Sequence, residues 1–191
     1  LYIQKLSCEF KLKKGMIPTI QLKGNLSFRP TEYISDSKGI VDLTLTSVDL
    51  ELFKEHYDIS FIEYVGGYKF KATDNIFRDY IDYWAEIKAN STGGARQLAK
   101  LMLNSLYGKF ATNPKKQNKI PIFSNDEVSL SLTDPTIEEP VYTALGAFIT
   151  ARARAYTITN SQRLYEYWVY SDTDSMYLTG ISEEEASKYI D

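Results

Sequence analysis

Two stretches decide what this sequence folds into: KLMLNSLYGK at residues 100–109 and YSDTDS at residues 170–175. The first carries apolar residues at helical spacing and predicts a helix from about Ala95 to Phe110. The second lies between two apolar half-strands and predicts a β-hairpin with an acidic tip. We expect the basic side of the helix and the acidic tip of the hairpin to face one cleft.

The predicted helix has two chemically different sides. At 100° per residue, Arg96, Lys100, Asn104 and Tyr107 fall within about 80° of one another. The opposite side is expected to be a core stripe, made of Ala95, Leu98, Ala99, Met102, Leu106 and Phe110. We call the polar side the cationic column. This side lacks the acidic i,i+4 partners that a helix face usually has when it serves only solubility. Two interpretations are therefore open: a surface that binds phosphates, or a simple solvated face.

Three neighbouring residues favour the phosphate-binding interpretation. Tyr107 is a large ring on the polar side and is suited to stacking on a base or a sugar. Gly108 costs about 1 kcal/mol relative to Ala inside a helix, and such a glycine often allows another backbone to approach. Lys88, at the end of the preceding predicted helix, is placed to join the column across the Gly93-Gly94 turn.

The acidic hairpin offers two carboxylates on short side chains. Asp172 and Asp174 are two residues apart at a tight turn. Mg²⁺ typically takes one or two carboxylates plus substrate phosphates, so the pair is a candidate metal site. The alternative is an Asx turn, in which the carboxylates cap backbone N–H groups. The glycine and glutamate expected downstream in an EF-hand calcium loop are missing.

Composition bounds the remaining function classes. The chain has 191 residues, a formal net charge of −3, 43% hydrophobic residues and 25% charged residues, as in a folded domain. Residues 88–119 contain seven basic and no acidic residues, whereas residues 120–150 contain five acidic and no basic ones. This separation of basic and acidic residues is typical of a protein that holds a polyanion near a carboxylate site. Two solvated faces of opposite charge would give the same pattern.

Single cysteine and histidine residues exclude an intrachain disulfide and a Cys/His zinc cluster. We expect Cys8 to be a buried strand thiol and His56 to be a surface side chain on a helix. No stretch is apolar and long enough to span a membrane, and the N-terminus shows no basic-then-apolar signal pattern, so we do not expect secretion. Without an initiator Met, the sequence is expected to begin inside a longer protein.

The rest of the chain predicts alternating strands and helices. Strands dominate residues 1–45, a helix capped by Thr46 or Ser47 runs to about Tyr57, and a strand over 60–71 contains a Gly66-Gly67 turn. The remaining predictions are a helix from a Thr73 or Asp74 cap to Asn90, a hairpin pairing 120–123 with 128–132, and a helix over about 145–165.

The two deciding stretches resemble known motifs of family-B DNA polymerases. Residues 100–109 are similar to motif B, K-x3-N-S-x-Y-G, and residues 170–175 are similar to motif C, Y-x-D-T-D-S. The Thr150-Ala151-Arg152-Ala153-Arg154 segment, the 110–140 insert and the long region 1–72 resemble the protein-primed polymerases of bacteriophages and linear plasmids. The resemblance covers essentially the whole chain.

The resemblance implies an α+β fold, a partial polymerase palm with helical fingers and two inserted β-rich subdomains. Residues 1–74 would be the first terminal-protein region and would contact the priming protein. Residues 75–110 would be the fingers helices, 111–140 the second terminal-protein region, which encloses DNA, and 141–191 the C-terminal part of the palm. The implied location is the cytoplasm of a host cell, without membrane contact.

Site residues follow from the same resemblance. Asp174 would bind Mg²⁺ as the catalytic carboxylate, with Asp172 its weaker neighbour, and two ions would act in the intact enzyme. Deoxynucleoside triphosphates would be bound by Lys88, Arg96, Lys100, Asn104 and Tyr107. Template-primer DNA would be contacted by Ser105, Gly108, Thr150 and Arg154.

Departures from the family pattern leave two other classes open. Motif A, D-x-x-S-L-Y-P, does not occur in the chain, and neither do the editing-exonuclease carboxylates or the Lys-x-Tyr motif. One carboxylate pair does not clamp two cations, so we expect no polymerase activity from these residues alone. A non-catalytic module that binds DNA or a priming protein, and a different two-metal phosphoryl-transfer enzyme, are the alternatives.

Overall fold

The computed structural model describes residues 1–22, 33–124, 126–139, 141–173 and 175–189. Its helices and antiparallel strands confirm the predicted α+β class. The elements, in chain order, are β1 (Tyr2–Leu12), β2 (Val41–Thr46), α1 (Ser47–His56), β3 (Tyr57–Lys69), α2 (Arg78–Asn90), α3 (Gly93–Phe110), β4 (Lys115–Lys116), β5 (Lys119–Ser124), β6 (Glu127–Leu132), β7 (Thr136–Ile137), α4 (Thr143–Arg163), β8 (Trp168–Asp172), β9 (Ser175–Leu178) and α5 (Glu183–Ala186).

These elements form two compact units. The first unit comprises Leu1–Thr73 and Phe148–Asp191, and the second comprises Asp74–Ala147. The division into terminal-protein regions, fingers and palm is a functional one and stays a prediction. Within the described ranges, no helix has the length and apolar character needed to cross a membrane.

A three-stranded antiparallel sheet organises the first unit. Its order is β2-β1-β3, so the long strand β1 is paired on both sides. Leu6, Cys8 and Phe10 alternate along β1 and are buried on one face, as the sequence pattern predicts. Burial raises the pKa of the Cys8 thiol to about 11, which keeps it protonated and unreactive at neutral pH.

Helix α1 covers the buried face of this sheet. Its N-cap is Thr46, whose hydroxyl accepts a hydrogen bond from the Asp49 N–H at 3.2 Å, which confirms one of the two predicted caps. The rings of Phe53 and Tyr57 each lie 5.0 Å from the Phe10 ring in edge-on geometry. This aromatic cluster forms the centre of the core.

The prediction that His56 lies on the surface is wrong. His56 is only 1% exposed, and its Nδ1–H donates to the Ile17 carbonyl at 2.7 Å. The position is three residues after Phe53, so it shares the core face of α1. Histidine is often exposed at the end of a short helix, so its residue type alone does not predict that the last turn of α1 is buried.

Two glycines predicted to form a turn lie instead inside strand β3. Strand β3 runs through Gly66 and Gly67 and pairs with β1 over its full length, with a register shift beside Lys5. A Cβ on Gly67 would clash with the backbone oxygen of Ile3. Glycine is therefore needed here for close approach of the two strands, not for chain reversal.

Residues 17–22 lie in the region 1–45 that the sequence predicts to be mostly strand, but they form one isolated bridge, between Gln21 and Tyr33. Side-chain bonds replace a ladder in this segment. The Tyr57 hydroxyl accepts from the N–H groups of Thr19 at 2.8 Å and Ile20 at 3.2 Å, and donates to the Ile34 carbonyl at 2.9 Å. One buried phenol thus satisfies backbone groups that strand pairing would otherwise satisfy.

In the second unit, α2 packs against α3. The rings of Phe77 and Phe110 are 5.5 Å apart, and the Tyr80 hydroxyl donates to the Met102 carbonyl at 2.9 Å. The predicted cap of α2 at Thr73 or Asp74 is wrong, because the helix begins at Arg78. Asn75 has φ 64°, a left-handed conformation that interrupts any helix started earlier.

The predicted core stripe of α3 is only partly buried. Ala99 is fully buried, whereas Leu98 is 51% exposed and Ala95 is also exposed. One helix, α2, covers one side of α3 and leaves these positions open within the described residues.

The predicted hairpin is confirmed as β5 and β6, with Ile122 opposite Ser129.

Tyr57→Phe is expected to destabilise the protein by about 2–4 kcal/mol, because two buried N–H groups lose their acceptor. Urea unfolding followed by circular dichroism measures the change. Tyr68→Phe is the matched control, because Tyr68 is 77% exposed and its substitution should leave the midpoint unchanged. Equal midpoints for the two variants would contradict the role of the Tyr57 hydroxyl.

Candidate functional site

The acidic hairpin reverses direction directly after strand β8. Asp172 pairs with Ser175 at the end of the β8–β9 ladder, and Thr173 is the described residue between them. Thr173 has φ 51°, in the left-handed region. Asp174 lies outside the described residues, and its predicted metal-binding role stays a prediction.

Asp172 is exposed at the end of strand β8. Its carboxylate oxygen Oδ1 accepts a hydrogen bond from the Thr173 hydroxyl at 3.1 Å, and its backbone carbonyl accepts one from the Ser175 hydroxyl at 3.0 Å. Both donors are side-chain hydroxyls and not the backbone N–H groups that define an Asx turn, so these two contacts do not themselves favour that alternative.

Helix α4 braces the hairpin through hydroxyl groups. Thr157 donates to the Thr173 carbonyl at 2.8 Å, and the hydroxyl oxygens of Ser161 and Ser171 are 2.8 Å apart. The indole N–H of Trp168 donates to Ser171 Oγ at 2.7 Å. The sequence analysis did not identify these residues. The available signal was the spacing of Thr157 and Ser161, two hydroxyl side chains four positions apart and shortly after Arg154.

Arg154, a predicted DNA contact, is held by a carboxylate in this structure. Its Nε and Nη2 both donate to Asp49 Oδ1, at 3.0 and 2.7 Å. Asp49 lies in the first turn of α1 and is itself bonded to the Thr46 hydroxyl at 2.8 Å. The guanidinium is therefore fixed in direction, and part of its charge is already neutralised.

A cavity of about 290 Å³ lies beside this pair and the hairpin turn. Thr150 and Arg154, the two residues predicted from the Thr-Ala-Arg-Ala-Arg segment, both line it. Ser171 and Thr173 of the hairpin line its other side. The structure thus brings the predicted DNA-contacting residues of α4 next to the backbone that carries the acidic turn.

The cationic column on α3 is open to solvent. Arg96, Lys100 and Asn104 are exposed and Tyr107 is half-buried. Lys88 is exposed at the end of α2, and in the described parts of the chain no ion pair involves Lys88, Arg96 or Lys100. The geometry matches the predicted face, with cations that are free to meet an anionic ligand.

The predicted DNA contacts of α3 are also accessible. Ser105 and Gly108 are exposed, and no atom outside the neighbouring backbone lies within 4 Å of the place where a Cβ of Gly108 would stand. A second backbone can approach here, as the glycine predicts. The column and the hairpin belong to different compact units, so the common cleft stays a prediction.

The described residues do not form a complete metal site by themselves. No group of three metal-ligating side chains occurs in the part of the chain that the structure describes. The described part of the hairpin tip contributes one carboxylate, Asp172. Mg²⁺ needs further oxygen ligands beside this carboxylate.

Comparison with known proteins decides the family. The model for DNA polymerase type B, organellar and viral, matches residues 1–191. The chain belongs to this polymerase family. It is 50% identical to the DNA polymerase of Bacillus phage phi29 over 192 residues, which cover 100% of this chain and 33% of that protein. The DNA polymerase of Streptococcus phage Cp-1 is 38% identical over 93% of this chain and 32% of its own length.

Solved structures give the same result. Phi29 DNA polymerase in an orthorhombic crystal form matches with TM-score 0.85 and 51% identity, covering 95% of this chain and 32% of that one. Its complex with primer-template DNA and incoming nucleotide substrates matches with TM-score 0.83 at 51% identity, covering 95% and 32%. The match confirms the predicted partial polymerase fold, and the chain spans about a third of the length of these relatives.

Asp49→Asn is expected to lower stability by about 1 kcal/mol, because the carboxylate oxygen that accepts both Arg154 hydrogen bonds loses its charge. Thermal unfolding in low and high salt measures the change, which should shrink as salt screens the pair. Asp42→Asn is the matched control: Asp42 also forms an ion pair, with Lys5 at 3.4 Å, but both side chains are exposed, so no measurable change is expected. A salt-independent loss for Asp49→Asn would contradict the electrostatic explanation.

Proposed function

We propose that the protein carrying this sequence is a DNA-directed DNA polymerase. It would transfer a deoxynucleoside monophosphate, selected by the template, to a primer 3′-hydroxyl or to a hydroxyl of a priming protein. The observation that carries the proposal is the match of the whole chain, at 50% identity, to a phage DNA polymerase. Both deciding stretches, the α3 motif and the acidic hairpin, lie inside the matched region.

The α3 surface supports binding of the incoming nucleotide. Arg96 and Lys100 place two positive charges one turn apart on an exposed helix face, and Lys88 adds a third at the end of α2. A triphosphate is the matching anion, since charge-assisted bonds to phosphate oxygens are strong and directional. Asn104 and Tyr107 continue the column toward a nucleobase or sugar.

The acidic turn would supply carboxylates for Mg²⁺. Asp174 is the proposed ligand and Asp172 its neighbour, in line with the one or two carboxylates that this ion takes from protein. Two such ions, when bound, stabilise the attacking and leaving oxygens of an in-line displacement. The further carboxylate of motif A is absent from the 191 residues, and these residues alone are therefore proposed to be inactive.

DNA and a priming protein complete the proposed partners. Ser105 and Gly108 on α3, and Thr150 and Arg154 on α4, would contact template-primer DNA. Residues 1–74 would contact the terminal, or priming, protein, and residues 111–140 would help to enclose DNA. The relatives from Bacillus phage phi29 and Streptococcus phage Cp-1 are phage polymerases, which supports action in the cytoplasm of a host cell.

Asp174→Asn in the full-length protein is expected to abolish primer extension while leaving folding and DNA affinity nearly unchanged, because the substitution removes one charge at the reacting centre. Extension of a labelled primer with Mg²⁺, together with fluorescence anisotropy on DNA, measures both effects.

Two controls accompany this experiment. Glu166→Gln removes an exposed charge after α4 and should keep wild-type extension. The 191-residue chain alone should show no extension. Binding to DNA without any extension by the full-length wild type would instead favour the non-catalytic binding module, and steady extension by the 191 residues would overturn the requirement for a further carboxylate.

Lys100→Ala should weaken binding of the incoming nucleotide by about 10- to 100-fold, the loss of one charge-assisted contact. Lys109→Ala is the matched control, because Lys109 is an exposed lysine of the same helix on another side and should change the nucleotide Kd less than twofold. Pre-steady-state incorporation gives the nucleotide Kd, and anisotropy gives DNA affinity. Equal losses in both would assign the column to the DNA backbone.

A further inference from the structure

The acidic turn carries a backbone conformation that needs support. Thr173 has φ 51°, and threonine is β-branched. The left-handed region costs an ordinary residue about 1–2 kcal/mol, and bulky or branched residues are rare there. A two-stranded hairpin of four- and five-residue strands is marginal by itself in water. Something outside the hairpin must therefore favour this conformation over its alternatives.

The side chain of Thr157 supplies one such contact. Its hydroxyl oxygen is 2.8 Å from the Thr173 carbonyl and 3.2 Å from the Ala153 carbonyl, four residues earlier in α4. A hydroxyl has one proton to donate. The contact within the helix is available to any helical threonine, whereas the shorter contact reaches across to the turn.

Ser161, one helical turn further along α4, holds the other side of the same turn. It is 1% exposed, and its hydroxyl lies 2.8 Å from the Ser171 hydroxyl. Ser171 Oγ also accepts from the indole N–H of Trp168 at 2.7 Å, and in its contact with Ser161 either hydroxyl can donate. The residues before and after Asp172 are thus both tied to α4.

We propose that Thr157 is a positioning residue for the acidic turn. Its hydroxyl holds the carbonyl of Thr173, the residue that directly follows Asp172. Ser161 fixes Ser171 on the other side of Asp172. The consequence for catalysis rests on the polymerase function proposed above, whereas the consequence for the turn itself does not.

Thr157→Val tests this inference in the full-length protein, because valine keeps the branched shape and removes only the hydroxyl. Hydrogen exchange of peptides covering residues 168–178 should be about 2- to 10-fold faster, the loss of one neutral hydrogen bond. The kcat of primer extension should fall by about 10- to 100-fold through misplaced carboxylates, with the KM for nucleotide changed less than twofold.

Two variants separate the hydroxyl from the helix. Thr157→Ser keeps the hydroxyl and should restore both exchange and kcat to within about threefold of wild type. Thr159→Val makes the same chemical change at an exposed position of α4 and should alter neither. If Thr157→Val does not fold, Thr157→Ala takes its place beside Thr157→Ser.

The outcomes are distinguishable. Wild-type exchange and kcat in Thr157→Val, or a loss that Thr157→Ser does not rescue, would overturn the positioning role. Faster exchange at residues 168–178 in a protein whose wild type extends no primer would keep the positioning role and reject the polymerase function. An increase in the KM for nucleotide with an unchanged kcat would also overturn the positioning role, because the turn would then act in nucleotide binding and not in placing the acidic residues.

Discussion

Helix α4 is attached to α1 and to the segment after β1 by two sets of polar contacts, and its position in the first unit depends on them. Arg154 is bonded to Asp49 in the first turn of α1, and Gln162 accepts from the Ile17 N–H while donating to the Gly15 carbonyl, both at 2.9 Å. These contacts join residues more than a hundred positions apart. They set where α4 lies, and α4 in turn supports the hairpin through Thr157 and Ser161.

The order of these supports has a physical logic. The aromatic cluster of Phe10, Phe53 and Tyr57 fixes α1 on the sheet by burial, which is strong but not directional. Hydrogen bonds then fix direction, first between α1 and α4 and next between α4 and the acidic turn. A carboxylate that must meet a metal ion requires placement within a fraction of an ångström, and only the directional contacts provide that.

The two charged surfaces are organised differently. On α4, Arg154 is already paired, so a nucleic acid that binds there meets a guanidinium with fixed orientation and reduced net charge. On α3, Arg96 and Lys100 are exposed without an ion pair in the described residues, and their charge is available to an incoming anion. The proposed DNA contact on α4 is therefore oriented by the protein, whereas the charges proposed to bind a triphosphate on α3 are exposed.

The sequence alone determined the features that depend on local pattern and on motif identity. The alternation along β1, the Thr46 cap, the exposed polar side of α3, the β5–β6 hairpin and the family itself all follow from residues close together in the chain. Tertiary contacts decided the rest. His56 is buried because its turn of α1 meets the core, Gly67 serves strand approach because β1 passes against it, and Thr157 and Ser161 reach a hairpin that helical periodicity cannot locate. Local spacing encodes which face a residue occupies, but only the packed chain shows what that face meets.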